Sequence, residues 1–252
     1  MYDLEREQKI IELLQHDGAI SVDKLSSSLF VSTSTIRRDL AKMERKGLVR
    51  RTFGGALLNA SPSGEETAFP LRKKENLNIK RSLCQKASDY IEGNSTIFID
   101  SSSTCLLLVP YLNNYKNLTI ITNGLFLANE VISKTEHQVI LPGGSIQPKT
   151  NSIVGTETYR FIESLHCDRF FFSCSGIDLE YGITESSKEQ SQIKQSMLSH
   201  SSLAICLVDQ TKFGHISLWK TCPVKDIDVL ISDHRLNEKE KGSLGETTFI
   251  QA

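Results

Sequence analysis

From residue 79 onward, short apolar runs alternate with amphipathic segments, and this alternation constrains the fold more than any other feature of the chain. Ile79 to about Glu92 carries Leu83, Ala87 and Ile91 at four-residue steps, the spacing of one helix face. Gly93-Asn94 turns the chain into a strand, Thr96 to Asp100. The polar loop Ser101-Ser102-Ser103-Thr104 then opens a helix running to about Leu112. The pattern repeats: strands at 118–122, 138–141, 169–175, 203–208 and 229–232, with helices near 125–133, 155–164 and 185–200. It predicts an α/β domain whose mostly parallel sheet has helices on both faces.

In such sheets ligands bind outside the carboxyl ends of the strands. Those ends read Asp100 through Thr104, Thr122-Asn123, Gly143-Gly144, Gly176 and Asp209. Small, hydroxylated and glycine positions converge there, and a hydroxyl-rich loop entering a helix suits a phosphate oxyanion. Lys194 and Lys212 are candidates to add positive charge. The same residues also make good helix caps, and the spacing leaves both readings open.

The first 58 residues read differently, as a separate small domain. Residues 5–16 set Ile10, Leu13 and Leu14 on one helical stripe, with Gly18 as the stop. Ser21 caps a short second helix, VDKLSSSL, and Ser32 caps a third, in which Ile36, Leu40 and Met43 fall at i, i+4 and i+7. After Gly47, LVRRTFGGALL reads as a two-stranded wing turned at Gly54-Gly55. The charge is local: residues 36–51 hold seven basic and two acidic side chains, net +5, in a chain whose net charge is −1. A basic cluster on a winged helix-turn-helix is the footprint of a polyanion. The alternative is a helical hairpin used for protein contacts.

Residue types follow from the geometry of a recognition helix entering the major groove N-terminus first. Its first turn, Thr33, Ser34 and Thr35, is small and polar. Arg37, Arg38 and Lys42 point away from the apolar stripe, and Arg50, Arg51, Thr52 and Gly54 lie on the wing. Ser21 and Ser32, at the helix starts, complete the candidate DNA-contacting set.

The string VSTSTIRRDLAKMERKGLVRRTFGGALL resembles the DNA-binding end of the DeoR family of bacterial transcription regulators. The match covers Val31, Ser32, Thr35, Ile36, Arg37, Arg38, Asp39, Leu40, Gly47, Arg51, Thr52, Gly54, Gly55 and Ala56, with Phe53 at the family's histidine position. The C-terminal region resembles that family's effector domain through Asp100 to Thr104, Ile121-Thr122-Asn123, Gly143-Gly144, Gly176 with Gly182 and Thr184, Ile193-Lys194, and Asp209 to Gly214. Ser102 stands where the family has glycine. The resemblance implies a fold similar to ribose-5-phosphate isomerase, a phosphorylated-sugar effector, a double-stranded operator and a homo-oligomeric repressor of carbohydrate-metabolism genes.

Composition bounds the rest. Hydrophobic residues make up 39% of the 252, enough for a core without disulfides or metals. The six cysteines form no C-x-x-C pair, and no cofactor or metal site is expected. No apolar run approaches the ~18 residues of a membrane span, and the charged start argues against a signal peptide, so a cytoplasmic protein is expected. The expected organisation is a DNA-binding domain at 1–58, a linker at 59–78 and an effector domain at 79–252. Two other functions fit the pattern. One is a sugar-phosphate isomerase with an added DNA-binding arm, using Asp100, Asp178, Glu185 or Asp209 as base. The other is a ligand-free nucleic-acid adaptor.

Overall fold

The computed structural model describes residues 3–17, 19–45, 48–52, 54–58 and 68–252. The chain divides into two compact units, Met1–Arg72 and Lys73–Ala252. Gly18, Gly47, Phe53 and the side chain of Arg50, all singled out above, lie outside the described residues, as does 59–67 of the expected linker. The rest of that stretch is structured. Ala68 and Leu71 are buried in the core of the first unit, and a helix starts at Leu77.

In the first unit the elements are α1 (Asp3–Asp17), β1 (Ala19–Ser21), α2 (Val22–Leu29), α3 (Thr33–Arg45), β2 (Val49–Arg51), β3 (Gly55–Leu58) and α4 (Phe69–Arg72). Each of the first three helices sends its apolar stripe inward: Ile10 and Leu14, Leu25 and Leu29, and Ile36, Leu40 and Met43 share one core. Burying a side chain of this size stabilises by about 1.5–3 kcal/mol. The wing is three-stranded rather than two-stranded, because β3 pairs antiparallel with both β2 and β1. Gly55 allows this: a Cβ there would lie 2.2 Å from the Ile20 carbonyl oxygen, so only glycine admits the approach of β1.

The second unit is built on seven parallel strands: β4 (Thr96–Ile99), β5 (Thr119–Ile121), β6 (Gln138–Ile140), β9 (Arg169–Phe172), β12 (Ala204–Val208), β14 (Val229–Ser232) and β15 (Thr248–Gln251). Across the sheet they run β6-β5-β4-β9-β12-β14-β15. The chain winds outward from β4 to β6, returns to place β9 beside β4, and winds outward the other way. The boundary between β4 and β9 is therefore the topological switch point, where a crevice opens at the carboxyl ends. Phe170 and Phe172, two apart on β9, stack at 4.6 Å on one face, and Phe98 of β4 meets Phe170 edge-on at 6.3 Å.

Helix α5 (Leu77–Ser88) leads into β4, and α6 (Val109–Leu112), α7 (Leu125–Lys134), α8 (Thr156–Glu163), α9 (Lys188–Ser199) and α10 (Glu238–Gly242) lie between the strands that follow. After Thr104 the chain makes a 3₁₀ turn, Cys105–Leu108, before α6. Two small antiparallel groups escape the sequence pattern: the hairpin β7 (Ser145–Gln147) with β8 (Ser152–Val154), and the sheet of β10 (Gly176–Asp178), β11 (Gly182–Glu185) and β13 (Trp219–Cys222). The helix expected from 185 starts at Lys188, because Ser187 caps it by accepting from the Gln190 N–H and Glu185 belongs to β11. All six cysteines are buried and free, and burial pushes the Cys167 and Cys222 thiols up to about 12.

Candidate functional sites

In the first unit the caps form as the residue types require. Ser21 Oγ accepts from the Lys24 N–H at 3.1 Å, and Ser32 Oγ accepts from the Thr35 N–H at 3.2 Å. Ser32 Oγ also lies 2.8 Å from Ser34 Oγ and 2.9 Å from Thr35 Oγ1, so the first turn of α3 is a cluster of hydroxyls. Ser34 is exposed, and Thr33 and Thr35 are half-buried.

Beyond that turn, Ile36, Asp39, Leu40 and Met43 face inward, while Arg37 and Arg38 are exposed and Lys42 is half-buried. Asp39 is not a surface counter-charge to these arginines. It is buried against α1, where Arg6 Nε donates to Oδ2 at 2.6 Å and Arg6 Nη2 donates to Oδ1 at 3.2 Å. The outer face of α3 is left basic.

On the wing, Arg51 is held by Glu44 of α3. Arg51 Nε donates to Oε2 at 2.7 Å, and the Arg51 N–H donates to Oε1 at 3.0 Å. The backbone bond from Arg51, and then its guanidinium, hold the Glu44 carboxyl below its ordinary range. Thr52 and Gly54 are exposed. The Gly54 carbonyl accepts from the Val22 N–H at 2.8 Å, so the wing turn is fastened to the start of α2.

In the second unit the switch point is built on Asp100. Its Oδ1 accepts from the Ser102 N–H and its Oδ2 from the Ser173 N–H, both at 3.0 Å, so it ties the end of β4 to the end of β9. Lys194 of α9 lies 3.2 Å from Asp100 Oδ2, donates to the Ser173 carbonyl at 2.6 Å and pairs closely with Glu185. Burial would depress this ammonium. The Glu185 and Asp100 carboxylates outweigh burial and hold it well above the ordinary lysine range. The charge of Lys194 is thus committed to two buried carboxylates.

The loop 101–104 is buried throughout. Ser102 does not take the positive φ that a glycine there would permit. Its Oγ instead accepts from the Cys105 N–H at 3.1 Å and caps the 3₁₀ turn. Ser101 Oγ donates to Gln190 Oε1 at 3.2 Å, and Gln190 Nε2 donates to Ser152 Oγ at 2.6 Å. Ser103 Oγ accepts from the Lys80 ammonium of α5 at 3.1 Å.

The end of β5 adjoins this loop, since a Cβ on Gly124 would lie 3.0 Å from Ser101 Cα. Thr122 Oγ1 accepts from the Gly124 N–H at 3.0 Å. Asn123 Nδ2 donates to the Ile153 carbonyl at 3.1 Å, while its buried Oδ1 has no hydrogen-bond partner among the described residues. Asp209 Oδ1 accepts from the Thr211 N–H at 3.1 Å and from Asn76 Nδ2 at 3.4 Å, and Lys212 is half-buried.

The structure therefore brings Asp100 to Thr104, Asn123 and Lys194 together around one strand-end cluster. The expected glycines have backbone reasons of their own. Gly143 and Gly144 are exposed at the end of β6, where the Gly143 carbonyl accepts from Thr158 Oγ1 at 2.8 Å. A Cβ on Gly176 would lie 2.2 Å from the His215 carbonyl oxygen.

Sequence reasoning missed Lys80, Gln190 and Ser173. Lys80 had a readable signal, for it is a lysine on the apolar face of α5, four residues before Cys84. An open concavity of about 960 Å³ lies at the opposite ends of the strands, lined among others by Lys116, Thr119 and Gln138. The switch-point rule and the buried polar cluster favour the carboxyl ends. Among the described residues no group of His, Cys, Asp or Glu side chains could hold a metal ion, and no helix is long and apolar enough to cross a membrane.

Comparison with known proteins matches residues 6–62 to a DeoR-like helix-turn-helix domain and 75–234 to a DeoR C terminal sensor domain. The chain is 34% identical over 238 residues to the HTH-type transcriptional regulator GolR of Listeria innocua, covering 94% of this chain and 93% of that protein. It is 30% identical over 233 residues to the glycerol-3-phosphate regulon repressor of Escherichia coli K12, covering 92% of each. Among solved structures, ribose 5-phosphate isomerase from Plasmodium falciparum aligns with a TM-score of 0.40 at 17% identity, over 54% of this chain and 52% of that one.

Proposed function

The chain belongs to the DeoR family of transcription regulators, and on that premise we propose that it binds a double-stranded operator through α3 and the wing, under the control of a phosphorylated sugar. The observation that carries the DNA reading is the division of α3. Ile36, Asp39, Leu40 and Met43 go to the core, and Arg37 and Arg38 to the surface behind a first turn of hydroxyls. An arginine so placed can hold guanine bidentately or clamp phosphate. The contacting set is Ser21, Ser32 to Thr35, Arg37, Arg38, Lys42, Arg50, Arg51, Thr52 and Gly54.

The effector reading rests on the switch-point cluster. Hydroxyls and backbone N–H groups of 101–104 receive the phosphate, and Thr122, Asn123, Gly143, Gly144, Gly176, Asp209 and Lys212 are the strand-end residues around the sugar. Asp100 and Lys194 hold that loop in place. The Escherichia coli relative named for glycerol-3-phosphate supports a small phosphorylated polyol or sugar as the class of effector. Such a ligand controls DNA binding only through unequal affinity for two states of the protein. The protein acts in the cytoplasm as a homo-oligomer reading repeated half-sites and represses carbohydrate-metabolism genes until the effector binds.

The test is a titration of operator fragments, recovered by genomic pull-down, at fixed salt. Arg37→Ala weakens binding by about 1–3 kcal/mol, and a phosphorylated sugar that raises the melting temperature changes operator affinity. Unchanged affinity in Arg37→Ala rejects the role of α3. Turnover in an isomerase assay with pentose or hexose phosphates would favour the enzyme reading. The carboxylates are poorly placed for that reading: Asp100 and Glu185 are paired with Lys194, and Asp178 accepts from the N–H groups of Glu180 and Tyr181 at 3.0 and 2.7 Å.

A further inference from the structure

The loop 101–104 calls for a cation if it is to hold a phosphate dianion, because Lys194 beneath it is already engaged by Asp100 and Glu185. Lys80 supplies one from a different element. It is buried on α5, and its ammonium donates to Ser103 Oγ at 3.1 Å. Cys84, four residues on and on the same face, donates its thiol hydrogen to the Thr104 carbonyl at 3.2 Å. Asn76, just before α5, donates to Asp209 at 3.4 Å. The helix is thus fastened along its length to the ends of β4 and β12. It is also the first helix of the second unit, beginning at Leu77 where the first unit ends at Arg72.

We propose that Lys80 is the phosphate-receiving cation of the effector site, and that occupancy of the loop is passed to the chain leading to the DNA-binding unit through α5, which carries Lys80. This rests on the reading that the phosphate sits at 101–104. A phosphate oxygen at the loop is a stronger acceptor for the ammonium than a serine hydroxyl. On binding, the Lys80 bond shifts from Ser103 to the phosphate, and the α5 register against the loop becomes sensitive to the ligand. Lys194 cannot play this part, because moving it would strand two buried carboxylates.

The experiment titrates the full chain with inorganic phosphate, using chloride at equal ionic strength as control, and reads the melting temperature together with hydrogen exchange of the peptide spanning 77–88. In the unmodified protein phosphate raises the melting temperature and slows exchange in α5. Lys80→Arg retains both effects, and Lys80→Gln needs at least about tenfold more phosphate for the same shift.

If Lys80→Gln responds like the unmodified protein, Lys80 is not the phosphate-receiving cation and the proposal falls, while the site itself survives. If phosphate stabilises the unmodified protein without slowing exchange in 77–88, the transmission through α5 falls, whether or not Lys80→Gln folds. If phosphate leaves the unmodified protein unchanged, both this inference and the phosphate reading of the loop are overturned.

Discussion

Arg6 and Asp39 form a buried bidentate pair that joins the first helix to the helix carrying Arg37 and Arg38, with side-chain exposures of 5% and 2%. The pair sets the roll of α3: with Asp39 locked inward, the two preceding arginines face out. Removing one member leaves a buried charge without its partner. Arg6→Met costs about 3–5 kcal/mol, and the double change with Asp39→Leu recovers most of it. Urea denaturation of the two variants checks this, and a double variant no better than the single one would show that the pair is not the cause.

Phe30 sits at the C-cap of α2 with φ 54° and ψ 44°, a left-handed conformation in which its ring is 94% exposed. A phenylalanine pays a steric cost there that asparagine largely avoids, and it buries nothing in return. Phe30→Asn raises stability by about 1 kcal/mol, read as a higher melting temperature. A lower one would mean that the exposed ring is packed against something in solution.

Lys194 tests the switch point. Lys194→Met leaves Asp100 and Glu185 buried without their counter-charge and destabilises by about 3–5 kcal/mol. Adding Glu185→Gln to that variant restores part of the loss, because one of the two stranded carboxylates is removed. Equal denaturation midpoints in Lys194→Met and the unmodified protein would contradict the buried triad.

Asp168 gives a pH dependence. Its Oδ2 accepts from the Thr96 N–H and from Thr96 Oγ1, both at 2.8 Å, and the backbone bond first, then the hydroxyl, holds its carboxyl below the usual range. A folded-state value below the unfolded one adds stability above the unfolded pKa of about 3.9, and that stability is lost as pH falls through the folded value. The stability difference between the unmodified protein and Asp168→Asn is therefore constant above about pH 5 and shrinks below about pH 4. A difference that does not shrink on acidification would refute the assignment.

What the chain's local chemistry decided by itself is visible in α2 and α3. Ser21 before VDKLSSSL and the Ile36, Leu40, Met43 spacing specify helices whose bounds the structure reproduces to within a residue, since capping and periodicity act over one or two turns. Six of the seven parallel strands were legible for the same reason: β12 is buried along its whole length, and it reads as an unbroken apolar run. β15 and the short antiparallel strands of the second unit were not, because three or four residues carry too little pattern to tell a strand from a loop.

Tertiary structure alone decided the partners. Only the winding of the sheet puts Glu185 and Asp100 on Lys194, an expected ligand cation, and only the packing of α5 carries Lys80 to Ser103. Spacing along a chain encodes which face a side chain occupies. Which distant group meets it there depends on the order in which strands are laid side by side, and that order is a property of the folded sheet.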